Sequence, residues 1–439
     1  MTPVVRPPAW RRAWSYWRRF GWRATWQRLR REVAAPPAPG VPQPGPAAPA
    51  ATAAQWVQAR FEALTPIPTY RLPPHGRRRV SLVTDSIGKG SLFGGVGTAM
   101  ILATLVANRR DADLRIVTRT EPPQAASLDH VLQVYGLALQ RESQFRFVPP
   151  SDRTQELDLL DDELVITTSW WTTVAALPGV GSDALVYLLQ EDERLFYPHG
   201  DERLRCEQLL KREGLRVVVN TRLLLQHLTA EGFTNIGRHA LSFEPAFPAS
   251  VFHPRPRPAG ARRRLVFYAR PHNARNLFFL GIEVLEEALV RGVIDPAQWE
   301  IVFVGKDIPD VALAGHCVPV KRENLDWSDY AELVGSADLG LSLMYTPHPS
   351  YPPLDLVASG AVVVSNRHGL KQDLSALSAN LILCELDRDA LVEGLARGVA
   401  LVGDDERRRR QHAASGLARD WTQTLQAVVE QLAAPVAAR

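Results

Sequence analysis

The chain has 439 residues, 46% hydrophobic and 22% charged, a size and balance that call for two packed domains and argue against a disordered or fibrous polypeptide. Its formal charge of +4 is unevenly spread: residues 1–33 hold nine arginines against the single acid Glu32, so the rest is mildly acidic and offers no basic stripe to nucleic acid. The three cysteines, Cys206, Cys317 and Cys384, are far apart and unpaired in spacing, which argues against a disulfide framework and a zinc site and suits a reducing compartment.

Segment 1–34 comes first in the chain. Trp10, Trp14 and Trp17, then Trp22, Trp26, Leu29 and Val33, recur at helical spacing, with Gly21 between the two stripes where a bend would align them. Tryptophans bordered by arginine suit the headgroup layer of an anionic membrane. The alternatives are docking on the protein's own body or a free tail. Residues 35–55 are nearly all Pro, Ala and Gly and read as a semi-extended spacer. No apolar run reaches the ~18–20 residues needed to cross a bilayer, and the arginine-rich start lacks the apolar centre of a secretory signal. The expected place is the cytoplasm, at most on the inner membrane face.

From residue 56 the pattern becomes strand, loop, helix, repeated. Strands are expected at Val80–Thr84, Leu114–Thr118, Leu164–Thr167, Leu185–Leu189 and Val217–Val219, with helices at Val96–Ala107, Ala125–Leu137, Asp201–Glu213 and Arg222–Glu231. After the proline-rich break at Phe252–Gly260 the alternation restarts, with strands at Leu265–Tyr268, Ile301–Val304, Leu339–Leu343, Val362–Ser365 and Leu381–Cys384. Short β-rich runs alternating with helices imply parallel sheets covered on both faces. The fold class is therefore α/β: a Rossmann-like domain over 56–258, a second over 259–418, and a final helix at 419–439 that could cross back. A cleft should lie between the carboxyl ends of their strands.

Three segments carry candidate chemistry. Ser86–Met100, after the first strand, is glycine-rich (Gly94 and Gly95 among them), which lets backbone approach a ligand at a helix start. A dinucleotide site would use the same glycines but would also want an acid ending the second strand, where only Glu121 follows, late and before two prolines. The second segment, Val266–Asn276, sends Arg270 and Arg275 off a strand end toward the cleft, where guanidinium groups could fork onto a diphosphate without a metal; Lys306 is a further cation after another strand. In the third, Leu341–Asn366, a proline-rich loop leads into a short helix opening near Pro352. Asp355, placed in its first turn, could accept hydrogen bonds from a sugar or ribose hydroxyl pair. Trp170 and Trp171, after the Leu164–Thr167 strand, offer an aromatic platform for a sugar face. Glu191 and Asp192 read as acceptor-side or solvated acids.

The loop containing Pro353-Leu354-Asp355 and Ser359-Gly360 resembles the donor-binding segment of family 4 glycosyltransferases. Together with the sequences at 166–171, 93–99 and 266–276 it is similar to the WsaF-like rhamnosyltransferase group, over roughly residues 75–430. The resemblance implies a GT-B fold, a dTDP-L-rhamnose-type donor, no metal or other cofactor, and a glycan or lipid-linked glycan acceptor on the first domain. It places the diphosphate by Arg270 and Arg275 and the nucleoside near Asp355, with Ser350 and Pro353 in the donor loop. One departure stands out. Pro347 occupies the position of the usual sugar-contacting glutamate, leaving His348 and Tyr351 as candidates to replace it. An NAD-linked oxidoreductase and a non-catalytic membrane-associated scaffold remain the alternatives.

Overall fold

The computed structural model describes residues 52–73, 76–88, 92–258 and 260–434. The tryptophan-rich segment 1–34 and most of the 35–55 spacer lie outside them. A helix spans Ala53–Arg60, so the last three spacer residues are helical where extended chain was expected.

From Arg60 onward the chain forms one compact unit. Its strands in chain order are β1 (Thr69–Arg71), β2 (Arg79–Thr84), β3 (Asp113–Thr118), β4 (Ser143–Phe147), β5 (Leu157–Leu159), β6 (Glu163–Thr167), β7 (Leu185–Leu189), β8 (Arg216–Asn220) and β9 (Leu241–Phe243). A second series follows: β10 (Arg263–Ala269), β11 (Trp299–Gly305), β12 (Val320–Glu323), β13 (Leu339–Leu341), β14 (Val362–Asn366) and β15 (Leu381–Cys384). The first lobe is a parallel sheet in the order β4-β3-β2-β6-β7-β8-β9, the second a parallel sheet in the order β12-β11-β10-β13-β14-β15, and β1 pairs with β5 apart from both. Strands β2, β6 and β7 are buried along their whole length, as expected of Val- and Leu-rich runs with helices on both faces. β4 and β12 sit at sheet edges and are half-exposed or exposed, so they lack the continuous apolar run that marks the central strands.

Each sheet reverses its winding once, between β2 and β6 in the first lobe and between β10 and β13 in the second. The loops leaving neighbouring strands at such a point diverge to opposite faces and leave a crevice. At the far end of the first sheet a buried ionic cluster pins the strand starts. Glu163 bridges Arg115 (2.6 Å) and Arg79 (2.7 Å), and both arginines also meet Asp158. The helix Trp421–Ala433 returns to the first lobe: Trp421, Leu425, Val428 and Leu432 enter its core, against the helix Gly97–Arg110. Burial of each contributes roughly 1.5–3 kcal/mol before conformational entropy. Just before it, the Phe247 N–H donates to Ala418 O at 2.8 Å. Two doubly wound parallel sheets facing one another across a cleft are the GT-B arrangement that the resemblance implied.

Candidate active site

A cavity of about 470 Å³ lies between the lobes and draws its walls from both reversal points. On the second-lobe wall, β10 ends at Ala269 and Arg270 follows directly. A single helical turn, Ala274–Asn276, then begins where Asn273 Oδ1 accepts the Arg275 N–H. This turn brings Arg275 back onto the wall that holds Arg270, and both line the cavity. Arg270 donates to Tyr268 Oη at 3.4 Å and is paired with no carboxylate among the described residues. Arg275 meets Glu191 at 3.1 Å, and its guanidinium lies 4.2 Å over the Phe196 ring. Lys306 stands exposed at the rim, one residue after Gly305. A Cβ on Gly305 would come 1.7 Å from Ala269 O, so only glycine lets the ends of β10 and β11 lie this close.

The loop after β13 forms the floor. Ser350 has φ 71, a left-handed conformation costly for a non-glycine residue, and lines the cavity with a buried hydroxyl that finds no partner among the described residues. His348, 3% exposed, accepts the Ser350 N–H on Nδ1 at 2.9 Å, which leaves the proton on Nε2. That Nε2–H is also buried and unpartnered. Burial, with the Lys371 and Arg275 cations nearby, pushes the ring down to about 3, so it is neutral.

The following helix runs Tyr351–Ala358, so Asp355 is its fifth residue and lies in the second turn, not the first as expected. Its carboxylate therefore does not serve the helix dipole. It lines the cavity, 5% exposed, and accepts from Tyr330 Oη at 2.9 Å. Burial pushes it up to about 8, above its ordinary 3.8, so at neutral pH it is mostly protonated. Pro353 was expected to touch ligand. It is buried inside the lobe and does not line the cavity, whereas Pro352, one helical step away, does.

On the first-lobe wall, Gly94 and Gly95 line the cavity. Gly94 has φ 75, and a Cβ there would stand 3.3 Å from the Tyr351 ring, so the glycine loop admits a side chain from the other lobe. Tyr351 Oη shares a hydrogen bond with Thr98 Oγ1 (2.6 Å) and accepts from Asn220 Nδ2 (2.8 Å), joining the lobes. Trp170 was expected at the site but is core. Ser169 caps the helix Trp170–Val180, and the first indole turns inward to donate to Tyr197 Oη at 3.1 Å. Trp171, about 100° round the helix, lines the cavity and donates to both carboxylate oxygens of Asp85 (2.8 and 2.9 Å).

Three acids line this wall: Asp85, Glu191 and Glu193. Glu191 accepts from Thr346 Oγ1 and from its neighbour's N–H, and burial raises it while Arg275 and Thr346 oppose. Glu193 accepts from the Trp170 N–H and Tyr187 Oη, both at 2.7 Å, and burial pushes it up to about 8. Asp192 turns away to Arg194 and His227. Sequence reasoning missed Asp85, whereas Glu193 belongs to the acidic run 191–193 that it places after the Leu185–Leu189 strand. Asp85 directly follows β2 at the sheet's reversal, a position that marks it in retrospect. Lys371 was also missed: it is 1% exposed, donates to Met344 O at 3.3 Å, and burial lowers it to about 8. Among the described residues no group of three or more His, Cys, Asp or Glu is placed to hold a metal ion, and no helix is long and apolar enough to cross a membrane.

Residues 79–222 match the N-terminal domain of WsaF and residues 263–396 its C-terminal domain. The O-antigen biosynthesis protein RfbC of Myxococcus xanthus is 30% identical over 226 residues, 51% of this chain and 17% of that protein. The chain thus spans less than a fifth of that relative's length. Anabaena HepE in complex with UDP-glucose superposes with a TM-score of 0.54 at 13% identity, over 81% of this chain and 98% of HepE. An α,α-trehalose-phosphate synthase from Burkholderia vietnamiensis gives 0.51 at 12%, over 81% and 99%. At such identities these structures share the fold. The two domain matches together take in more than half of the residues, and the chain belongs to the WsaF family, with a GT-B fold.

Proposed function

We propose that this chain is a glycosyltransferase of polysaccharide or O-antigen assembly that moves a sugar, L-rhamnose from dTDP-rhamnose, onto a glycan acceptor. The observation that carries the reading is the second-lobe wall. Arg270 and Arg275 leave one strand end and face one cavity, and Arg270 has no carboxylate to neutralise it among the described residues. In transfer, the acceptor hydroxyl oxygen bonds to the anomeric carbon as the bond to the diphosphate oxygen breaks, its proton passes to the departing diphosphate, and negative charge grows on that group as it leaves. Two fixed guanidinium groups, with Lys306 at the rim, oppose that charge without reorganising and without a metal. Asp355, among tyrosines, takes the nucleoside side. Asp85, Trp171 and Phe196 face the arginines from the first lobe and take the acceptor side. RfbC, by its name a protein of O-antigen biosynthesis, supports a glycan as the acceptor.

Calorimetric titration of dTDP-L-rhamnose and UDP-glucose tests the reading. The wild type should bind a nucleotide sugar in the presence of EDTA, and Arg270→Ala should weaken binding by at least about tenfold, the loss of one charge-assisted contact. Equal binding by both proteins would remove the assigned phosphate site. The tryptophan stripes of residues 1–33 support attachment to the inner membrane face. Deleting residues 1–53 should then abolish binding to anionic vesicles and leave transfer to a soluble acceptor intact; unchanged vesicle binding would refute the attachment.

A further inference from the structure

Glu191 belongs to the first lobe, yet its carboxylate meets the second lobe twice, at Arg275 and at Thr346. Thr346 in turn accepts the His348 backbone N–H at 3.2 Å, so the carboxylate and the hydroxyl are tied to the backbone of the residue that carries the imidazole. Between Thr346 and His348 stands Pro347, which has no polar side chain. We propose that Glu191 holds the hydroxyl groups of the donor's sugar ring, with His348 as the opposing hydrogen-bond donor. This rests on the reading of Arg270 and Arg275 as the diphosphate site.

The sugar's anomeric carbon is bonded to the terminal phosphate, so whatever touches the phosphate-binding arginine stands beside the ring. Glu191 is in that position, 3.1 Å from Arg275. A guanidinium has five N–H donors, and the Glu191 contact at Arg275 Nη1 leaves the others for phosphate. A carboxylate is acceptor-only and can take a pair of adjacent hydroxyls. A hydroxyl that donates to it keeps lone pairs for an N–H.

The His348 Nε2–H is the independent sign of a ligand. It is buried, unpartnered among the described residues, and belongs to a ring that lines the cavity. An N–H left in that state carries an uncompensated desolvation cost, which a sugar oxygen would relieve. Because Glu191 comes from one lobe and His348 from the other, sugar recognition is complete only when the lobes stand together as they do here. The acid first read as acceptor-side thus serves the donor.

The test separates sugar from nucleotide by titrating dTDP and dTDP-L-rhamnose against the full chain and against Glu191→Ala, Glu191→Gln, His348→Ala and Arg270→Ala. If dTDP does not bind the wild type, UDP and UDP-glucose take their place. Glu191→Ala should bind the diphosphate within about twofold of wild type and the nucleotide sugar at least about tenfold more weakly, a contrast that also reports intact folding. Glu191→Gln and His348→Ala should lose selectivity in the same direction and less steeply. Arg270→Ala should weaken both ligands and keep their ratio. The inference is overturned if Glu191→Ala leaves the ratio unchanged, or weakens both ligands equally, since Glu191 would then only position Arg275. It is overturned as well if the wild type binds the sugar form no better than the diphosphate. Failure of the wild type to bind any of the four ligands would instead sink the diphosphate assignment beneath it.

Discussion

Replacing Asp355 with asparagine should make the protein more stable, and increasingly so as pH rises. Burial pushes this carboxyl from its ordinary 3.8 up to about 8, while in the unfolded chain it ionises freely. Below about pH 4 both states are protonated and folding pays nothing for the group. Between about pH 4 and pH 8 the unfolded state gains from releasing the proton and the folded state does not, so wild-type stability falls through this window and levels off above it. At 1.36 kcal/mol per pH unit the handicap reaches about 4 kcal/mol at pH 7, an upper bound. Asparagine is isosteric, keeps an acceptor for the Tyr330 hydroxyl now 2.9 Å away, and has no proton to release. Urea unfolding of both proteins, from about pH 5 to about pH 8, should show their difference widening in favour of Asp355→Asn. All other titrating groups are common to the two chains and cancel in that difference. A constant difference, or one that narrows as pH rises, would refute the claim that the folded state holds Asp355 protonated. A buried carboxyl kept at such a cost within a cavity is a mark of ligand recognition.

Three further outcomes follow from the geometry. Glu163→Ala leaves the buried Arg79 and Arg115 sharing only the less buried Asp158, and should cost about 3–5 kcal/mol in urea unfolding; a loss under about 1 kcal/mol would mean that Glu163 is not pinning the strand starts. Tyr351→Phe removes the hydroxyl that Thr98 and Asn220 share, and should cost about 1–3 kcal/mol and lower the melting temperature. Unchanged melting would show that the lobes do not rely on this contact. Trp171→Phe deletes the two N–H contacts that hold Asp85 down against burial, so carbon NMR should find the Asp85 carboxyl titrating at higher pH than in wild type. Trp170→Phe should leave Asp85 where it is, and equal shifts in the two variants would undo the assignment of their roles.

The central strands were legible because each is an apolar run buried on both faces. Leu185–Leu189 coincides with β7, and most others differ by a residue or two at the ends; β15, matched by Leu381–Cys384, is an edge strand that keeps an apolar sequence. The edge strands β4 and β12 were not, since a chain with one exposed side carries the same polar residues as a loop. Most of the residues singled out line the cavity, and Trp170 and Pro353, which do not, show where the reading stops. Trp170 and Pro353 each sit one helical step from a neighbour that does reach the cavity, Trp171 and Pro352. A pattern of residue types locates such a segment to within a turn, but the phase of the helix depends on its cap, here Ser169 and Ser350.

A second limit is of another kind. Arg270, Arg275 and Lys306 could be found from their own strand ends, because a strand's carboxyl end is a local property of the sequence. The position of Glu191 could not, because it is decided by what confronts it. Eighty-four residues separate it from Arg275 and 155 from Thr346, and nothing in the periodicity of either lobe encodes that encounter. Pro347, read within its own loop, looks like the loss of a carboxylate. Across the cleft the acid of the opposite lobe reaches Thr346, the residue just before Pro347, and Arg275. If Glu191 reads the sugar as proposed, a site divided in this way couples chemistry to the approach of the lobes: the second lobe alone would hold a diphosphate, but without Glu191 it would lack the acceptor needed to tell one sugar from another.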